Sequence, residues 1–129
     1  MTAAASTLEE RVAEVRGRIA RAASRSGRLP ESVTLIAVTK THPAETVLEA
    51  FTAGLTDFGE NRVQEATAKA EEVSQSLGTQ ALVAGGPRWH LIGHLQTNKV
   101  RAAIGTFAIL HSVDSERLLR AVSGAATSP

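Results

Sequence analysis

Leu35-Ile36-Ala37-Val38-Thr39-Lys40-Thr41-His42-Pro43 opens as an apolar run and stops on a lysine. From Val33 to Val38 there is no regular alternation of polar and apolar residues. That pattern predicts a strand buried on both faces, as in a parallel sheet. Pro43 then opens a helical pattern, and proline is favoured in a first helical turn because its missing N–H was unpaired anyway. Lys40 is therefore predicted at the carboxyl end of a buried strand, in the turn that leads into a helix. In α/β folds that edge is where ligands bind. The plain alternative is a solvated loop lysine.

Working outward, Thr7-Leu8-Glu9-Glu10 reads as a capping box. Leu8, Val12, Val15, Ile19 and Ala22 follow at helical spacing as one apolar stripe, and Gly27 and Pro30 end the helix. Arg11, Arg16, Arg18 and Arg21 lie off the stripe, interleaved with Glu9, Glu10 and Glu14. Mixed signs make that face a solvated one rather than a nucleic-acid surface. Beyond Lys40 a helix is predicted from about Pro43 to Ala53, with Val47, Leu48 and Phe51 buried and Gly54 as its stop. Leu55 to Gly59 reads as a second strand and Glu60-Asn61 as a turn. Arg62 to about Ser74 reads as a helix with Val63, Ala66, Ala70 and Val73 inward. Gln75 to Pro87 is a looser connection in which Ala81-Leu82-Val83 packs locally. Trp89 to Gly93 is a third strand, Thr97 to Ile104 a short helix, and Phe107 to Val113 a fourth strand. Asp114 is predicted to cap a last helix carrying Leu118, Leu119 and Val122, and Ser123 to Pro129 reads as a loop.

The order is one helix, then strand–helix four times, which implies parallel strands with right-handed crossovers. An open doubly wound sheet and part of a closed barrel both fit. The open sheet usually carries a glycine-rich phosphate turn after its first strand. Here Thr39 to Pro43 holds no glycine, and no G-x-x-x-x-G-K-[ST] loop occurs. The predicted fold class is α/β: a partial (β/α)8 TIM-like barrel, an N-terminal helix followed by four βα units.

Composition closes other routes. The 129 residues supply one modest core. A formal net charge of +1 gives no bulk attraction to nucleic acid or a membrane surface. The absence of cysteine excludes disulfides and thiolate metal sites and fits a reducing compartment. No apolar run approaches the length of a membrane span. Met1 to Ser6 is small and polar, without the apolar core of a secretory signal, and is expected to be a disordered N-terminus. The expectation is a cytoplasmic protein that binds neither nucleic acid nor membrane.

Side chains gathered at the predicted strand ends are Lys40; Glu60 and Asn61; His94, Gln96 and Asn98; and His111, Ser112 and Asp114. A lysine at a barrel mouth has one specific talent. Desolvation and nearby cations depress its pKa, and the neutral amine attacks an aldehyde to give a Schiff base. An amide or imidazole nearby holds a ring oxygen or a water. His42, His90, His94 and His111 are scattered over three strand ends, and none pairs at helical spacing with another ligand, so no metal site is expected. His90, beside Trp89, reads as a hydrogen-bonded core or barrel-lining residue. Asn61 reads as a helix N-cap as readily as a site residue, and Glu60 and Asp114 are plausible caps. A serine–histidine–acid triad has no nucleophile-elbow turn to sit on.

Three blocks, Ala37 to Pro43, Phe58-Gly59-Glu60-Asn61-Arg62-Val63-Gln64-Glu65, and Trp89-His90-Leu91-Ile92-Gly93-His94-Leu95-Gln96-Thr97-Asn98-Lys99, resemble in order and spacing the signature blocks of the YggS-type pyridoxal phosphate homeostasis proteins, the PROSC family. The resemblance runs from the first helix to the end of the chain. It implies a single-domain (β/α)8 barrel like the N-terminal domain of alanine racemase, with pyridoxal 5'-phosphate (PLP) bound through an aldimine to Lys40. It also implies that Asn61 and His90 line the pocket near the cofactor, and that the function is cofactor homeostasis without an assigned turnover.

Members of that family are much longer. Their cofactor phosphate is held by groups from the last strands, and an arginine there faces the pyridine nitrogen, in keeping with barrel phosphate sites after strands seven and eight. Residues 1–129 are thus expected to be the N-terminal half of one PLP-binding barrel domain: a fragment, a truncated reading frame, or half of an assembly able to self-associate. Three functions follow. One is a PLP carrier or regulator. Another is a racemase- or decarboxylase-type enzyme of the same fold; it would by resemblance need a second domain and usually an opposing tyrosine, and this chain has no tyrosine. The third is an inactive truncated fragment.

Overall fold

Side chains that alternate along short parallel strands divide this molecule into a helix-covered face and an open one. The computed structural model describes residues 7–78 and 86–127. The expected disordered segment 1–6, the local packing of Ala81-Leu82-Val83 and the end of the tail lie outside them. In chain order the elements are α1 (Leu8–Arg25), β1 (Ala37–Val38), α2 (Ala44–Thr52), β2 (Asp57–Glu60), α3 (Val63–Leu77), β3 (Arg88–Leu91), α4 (Val100–Thr106), β4 (Ile109–Leu110) and α5 (Glu116–Thr127).

The strands form one sheet in the order β1-β2-β3-β4, every pair parallel. Each crossover moves the chain one strand onward in the same direction. A doubly wound sheet reverses at a switch point; this one does not, and the fold is part of a (β/α)8 barrel, as read from the sequence. Val38, Gly59, His90 and Ile109 stand level across the sheet.

One set of alternate residues packs under the helices: Phe58, Trp89 and Leu91 join Val47 and Ala50 of α2, Val63, Ala66 and Val73 of α3, and Ala103 of α4 in the core. The rings of Phe58 and Trp89 lie 5.7 Å apart. Neighbouring helices α2, α3, α4 and α5 pack in succession. The other set, including Val38 and Ile109, faces away from the helices; these two are 51% and 43% exposed.

Several boundaries differ from the sequence reading. Val33 to Val38 is not a strand buried on both faces: only Ala37–Val38 is paired, and Val33 is exposed. A run apolar on both faces suits a strand covered on both faces, and here the open face is uncovered, with Val38 exposed on it. β4 is likewise shorter than Phe107 to Val113. Along α1 the buried positions are Val12 and Ala23, whereas Val15 and Ala22 are exposed. Thr7 caps α1 as expected, its hydroxyl accepting from Glu10 N–H at 3.1 Å. α5 runs through Ser123 to Thr127 rather than ending in a loop, and Ser115, not Asp114, accepts from the Leu118 N–H at its start.

Phe58 is fully buried and central to the core. Phe58→Ala is expected to cost about 3–5 kcal/mol, the usual range for emptying a buried phenylalanine site. Urea unfolding followed by circular dichroism measures it, and a loss under about 1 kcal/mol would show that the core around β2 is not packed as described.

Candidate functional site

Lys40 follows β1 directly. The ladder runs one residue past the strand, with Thr39 N–H donating to Gly59 C=O at 3.0 Å, and the chain then turns, His42 N–H closing on Thr39 C=O at 2.9 Å. Lys40 and Thr41 are the central residues of that turn, and Thr41 has φ +68°. Such a turn normally puts glycine at its third position; a β-branched residue there is an outlier. Thr39 is buried, while Lys40 is exposed on the alternate side.

Asn61 follows β2 as Lys40 follows β1. Counting from the level pair Val38 and Gly59, both sit two residues further on and share the layer at the carboxyl edge. His90 is level with Gly59 itself, so it lies one layer deeper, about 6.6 Å at strand spacing. Asn61 does not cap α3; the position is Arg62, which makes no side-chain cap bond. Asn61 instead lines a cleft of about 270 Å³ with Arg62, Val63, Gln64, His94, Gln96 and Lys99. Its backbone passes so close to Gly93 that a Cβ there would meet Asn61 O at 2.5 Å, which only glycine avoids. His42 lies outside this cleft, in a shallow groove with Glu65, Lys69 and Glu72. Ser112 is tied down, its hydroxyl donating to Gly93 C=O.

Glu60 is neither turn nor cap. It ends β2, fully buried on the helix side, and meets Lys69 of α3. Lys69 Nζ lies 2.9 Å and 3.0 Å from the two Glu60 oxygens and donates to Thr39 C=O at 2.9 Å. The Thr39 hydroxyl donates to the same carboxylate. The sequence reading missed Lys69. The available signal was its spacing: three residues after Ala66 and four before Val73, it falls on the inward face of α3.

Asp57 was missed as well. It sits on the open-face side of β2 with His90. His90 Nε2 donates to Asp57 Oδ1 at 2.8 Å, and His90 Nδ1 lies 2.9 Å from His111 Nε2. The two imidazoles stack with centroids 5.2 Å apart. Arg88 Nη2 reaches Asp57 Oδ1 at 3.0 Å. The network assigns the tautomers: His90 gives its Nε2 proton to Asp57, so its Nδ1 accepts, and His111 donates from Nε2. His90 is 1% exposed, whereas His111 is open to solvent. Asp57, His90 and His111 thus form a hydrogen-bonded chain in which donation runs from the exposed His111 through His90 to the buried carboxylate. Among the described residues no cluster of His, Asp and Glu is arranged to hold a metal ion, and no helix is long and apolar enough to cross a membrane.

Burial pushes the Asp57 carboxyl up, but hydrogen bonds from His90, Arg88 and Thr56 and the Arg88 charge outweigh it and hold the group below the usual aspartate value. Its folded pKa is thus lower than its unfolded one. The stability it contributes is present above the unfolded value and is lost as pH falls through the folded one. Asp57→Asn should lower stability at pH 7 by about 1–3 kcal/mol, and the gap between variant and wild type should close on acidification below the aspartate range. Unfolding curves from pH 7 down to the acid limb test this; a gap that is constant with pH would show that Asp57 is not held ionised by its partners.

No protein-family model matches the chain. Curated relatives do. The chain is 45% identical over 119 residues to the pyridoxal phosphate homeostasis protein of Pseudomonas aeruginosa, covering 92% of this chain and 47% of that one. With the protein of the same name from Escherichia coli K12 it shares 45% identity over 107 residues, 83% of this chain and 43% of the relative. Among solved structures, PipY of Synechococcus elongatus with PLP bound matches with TM-score 0.65 and 45% identity, over 83% of this chain and 47% of PipY. A protein of unknown function from Bifidobacterium adolescentis matches with TM-score 0.77 and 34% identity, over 95% and 53% respectively. The chain spans about half the length of the curated relatives it matches. Over that half the chain is similar in sequence to the pyridoxal phosphate homeostasis proteins and in fold to PipY.

Proposed function

We propose that Lys40 is the amine through which this barrel holds pyridoxal phosphate, and that the protein serves the homeostasis of that cofactor in the cytoplasm. The observation that carries the reading is the placement of the lysines. Lys69 is buried and committed to Glu60 and Thr39. Lys99 belongs to the 3-10 turn Thr97–Lys99, past the third strand. Lys40 is exposed at a strand's carboxyl end, on the open face. PLP, when bound, supplies an aldehyde carbon that condenses with a neutral primary amine and releases water. Asn61, in the same layer, offers an amide to a ring oxygen. Both ring nitrogens of His90 are already engaged, so His90 acts there through its ring and by holding His111 in the tautomer that is protonated at Nε2. Residues 1–129 are read as one half of a single barrel domain, with the phosphate held by the other half.

The reading predicts visible absorbance on adding PLP, and after borohydride reduction a pyridoxyl group on Lys40. Lys40→Ala should abolish both. In the 129-residue chain the labelling should be weak and easily dialysed, since each missing charge-assisted hydrogen bond to the phosphate forgoes about 1.5–3 kcal/mol. Label spread evenly over Lys40, Lys69 and Lys99 would refute the assignment.

The racemase-type alternative gains one observation, the proton held at His111. Steady racemisation of an L-amino acid that scales with protein and is lost in both Lys40→Ala and His111→Phe would favour it.

The open face also bears on the partner. Val38 and Ile109 are exposed on it, and β1 and β4 are unpaired on their outer sides in this sheet. Open strand edges and an uncovered apolar face are poorly tolerated in a monomer. The 129-residue chain alone is expected to pair with a second copy through this face. Sedimentation velocity should show a dimer or larger, and Val38→Glu with Ile109→Glu a shift to monomer; a monodisperse wild-type monomer would end the idea.

A further inference from the structure

We propose that Glu60, Lys69 and Glu65 form a positioning clamp that fixes the turn carrying Lys40 and so sets the aim of its amine. The inference rests on the reading that Lys40 takes an aldehyde, and it names residues that reading does not use.

The clamp holds both neighbours of Lys40 and leaves Lys40 itself free. On one side Thr39 is gripped twice, its carbonyl accepting from Lys69 Nζ at 2.9 Å and its hydroxyl donating to Glu60. On the other side Thr41 N–H donates to Glu65 Oε1 at 3.0 Å. Glu65 and Lys69 stand one turn apart on α3, with Glu65 Oε1 3.6 Å from Lys69 Nζ, so a single helix face reaches both flanks. Thr41 is where the clamp is needed. Its φ of +68° costs any residue with a Cβ, and a β-branched one most. Glycine would take that conformation freely but would also leave it freely. A threonine pinned by Glu65 keeps one geometry, and Lys40, one residue earlier, inherits it. Strain of this kind persists only where the surroundings over-determine it.

A merely structural role, tying α3 to the sheet, would affect all lysines alike. The discriminating readout is the ratio of pyridoxyl label on Lys40 to that on Lys99 in the same chain, after PLP and borohydride. Lys99 is partly exposed and lies outside the clamp. Glu65 is 38% exposed, so its replacement leaves the core intact. Glu65→Ala should lower the ratio about tenfold, the scale of a left-handed residue losing its support. Glu65→Gln, whose amide oxygen still accepts from Thr41 N–H, should stay within about twofold of wild type. Adding Thr41→Gly to Glu65→Ala should restore most of the ratio, because glycine needs no support at positive φ. An unchanged ratio in Glu65→Ala, or no recovery with Thr41→Gly, overturns the clamp.

Amide exchange at Thr41 tests the same contact without any aldehyde: protection is expected in wild type and Glu65→Gln, and is lost in Glu65→Ala. A protected Thr41 beside a Lys40 labelled no better than Lys99 supports the clamp and removes the cofactor reading. A preferred Lys40 indifferent to Glu65→Ala removes the clamp and leaves the cofactor reading standing.

Discussion

The ion pair between Glu60 and Lys69 is the contact on which the rest depends. Both side chains are almost wholly buried, so each forgoes several kcal/mol of hydration, and their attraction offsets this only with further hydrogen bonds in place. Those bonds are present: Lys69 gives one to Thr39 C=O, and Glu60 takes one from the Thr39 hydroxyl. The pair thus spends its surplus polar capacity at the end of β1, where the sheet ladder stops and Thr39 C=O, already closing the turn with His42 N–H, takes Lys69 as a second partner. Among the described residues no buried side-chain nitrogen or oxygen is left unpaired. Removing one member would strand the other as an uncompensated buried charge, which costs about 3–5 kcal/mol in comparable cases. A hydrophobic pair could fill the same volume. It could not grip the backbone beside Lys40.

The fold was legible because βα alternation and the non-glycine turn after β1 are both local features of the chain. Parallel order without reversal follows from them almost at once. Strand lengths were not legible. Val33 to Val38 is apolar enough for a strand covered on both faces, but only Ala37–Val38 is paired and the open face is uncovered. Composition records what a segment can bury, not how many partners it meets. The site divides the same way. Lys40 and Asn61 stood out from their positions at strand ends, which is a one-dimensional property. Lys69 and Asp57 did not, since a charge on an apolar face looks like an error until its partner is known, and their partners lie 9 residues away at Glu60 and 33 away at His90. Glu60 was misread for the same reason: next to Asn61 in sequence, it points to the opposite side of the sheet.

That opposition explains how one strand serves two purposes. Successive residues point to opposite faces, so Thr39 and Glu60 face the helices while Lys40 and Asn61 face the open side. The helix side is saturated with contacts and sets geometry. The open side holds groups with capacity to spare: an amine, an amide, and an exposed imidazole linked through His90 to Asp57. Chemistry is kept on the side that packing does not use.

The same alternation makes register the critical quantity. A slip of one residue in β1 would turn every side chain to the other face, placing Lys40 against Lys69 and Thr39 on the open side. Like charges would then meet in the core with one carboxylate between them, and Thr39 C=O would lose its cation. Apolar content alone would resist this slip weakly, because Leu35, Ile36, Ala37 and Val38 present apolar groups to both faces. The polar network supplies what the apolar run cannot: only one register brings a hydroxyl to Glu60, a carbonyl to Lys69 and the Thr41 N–H to Glu65 at once. In this barrel the buried charges specify where Lys40 stands, and the apolar residues supply the core against which it is held.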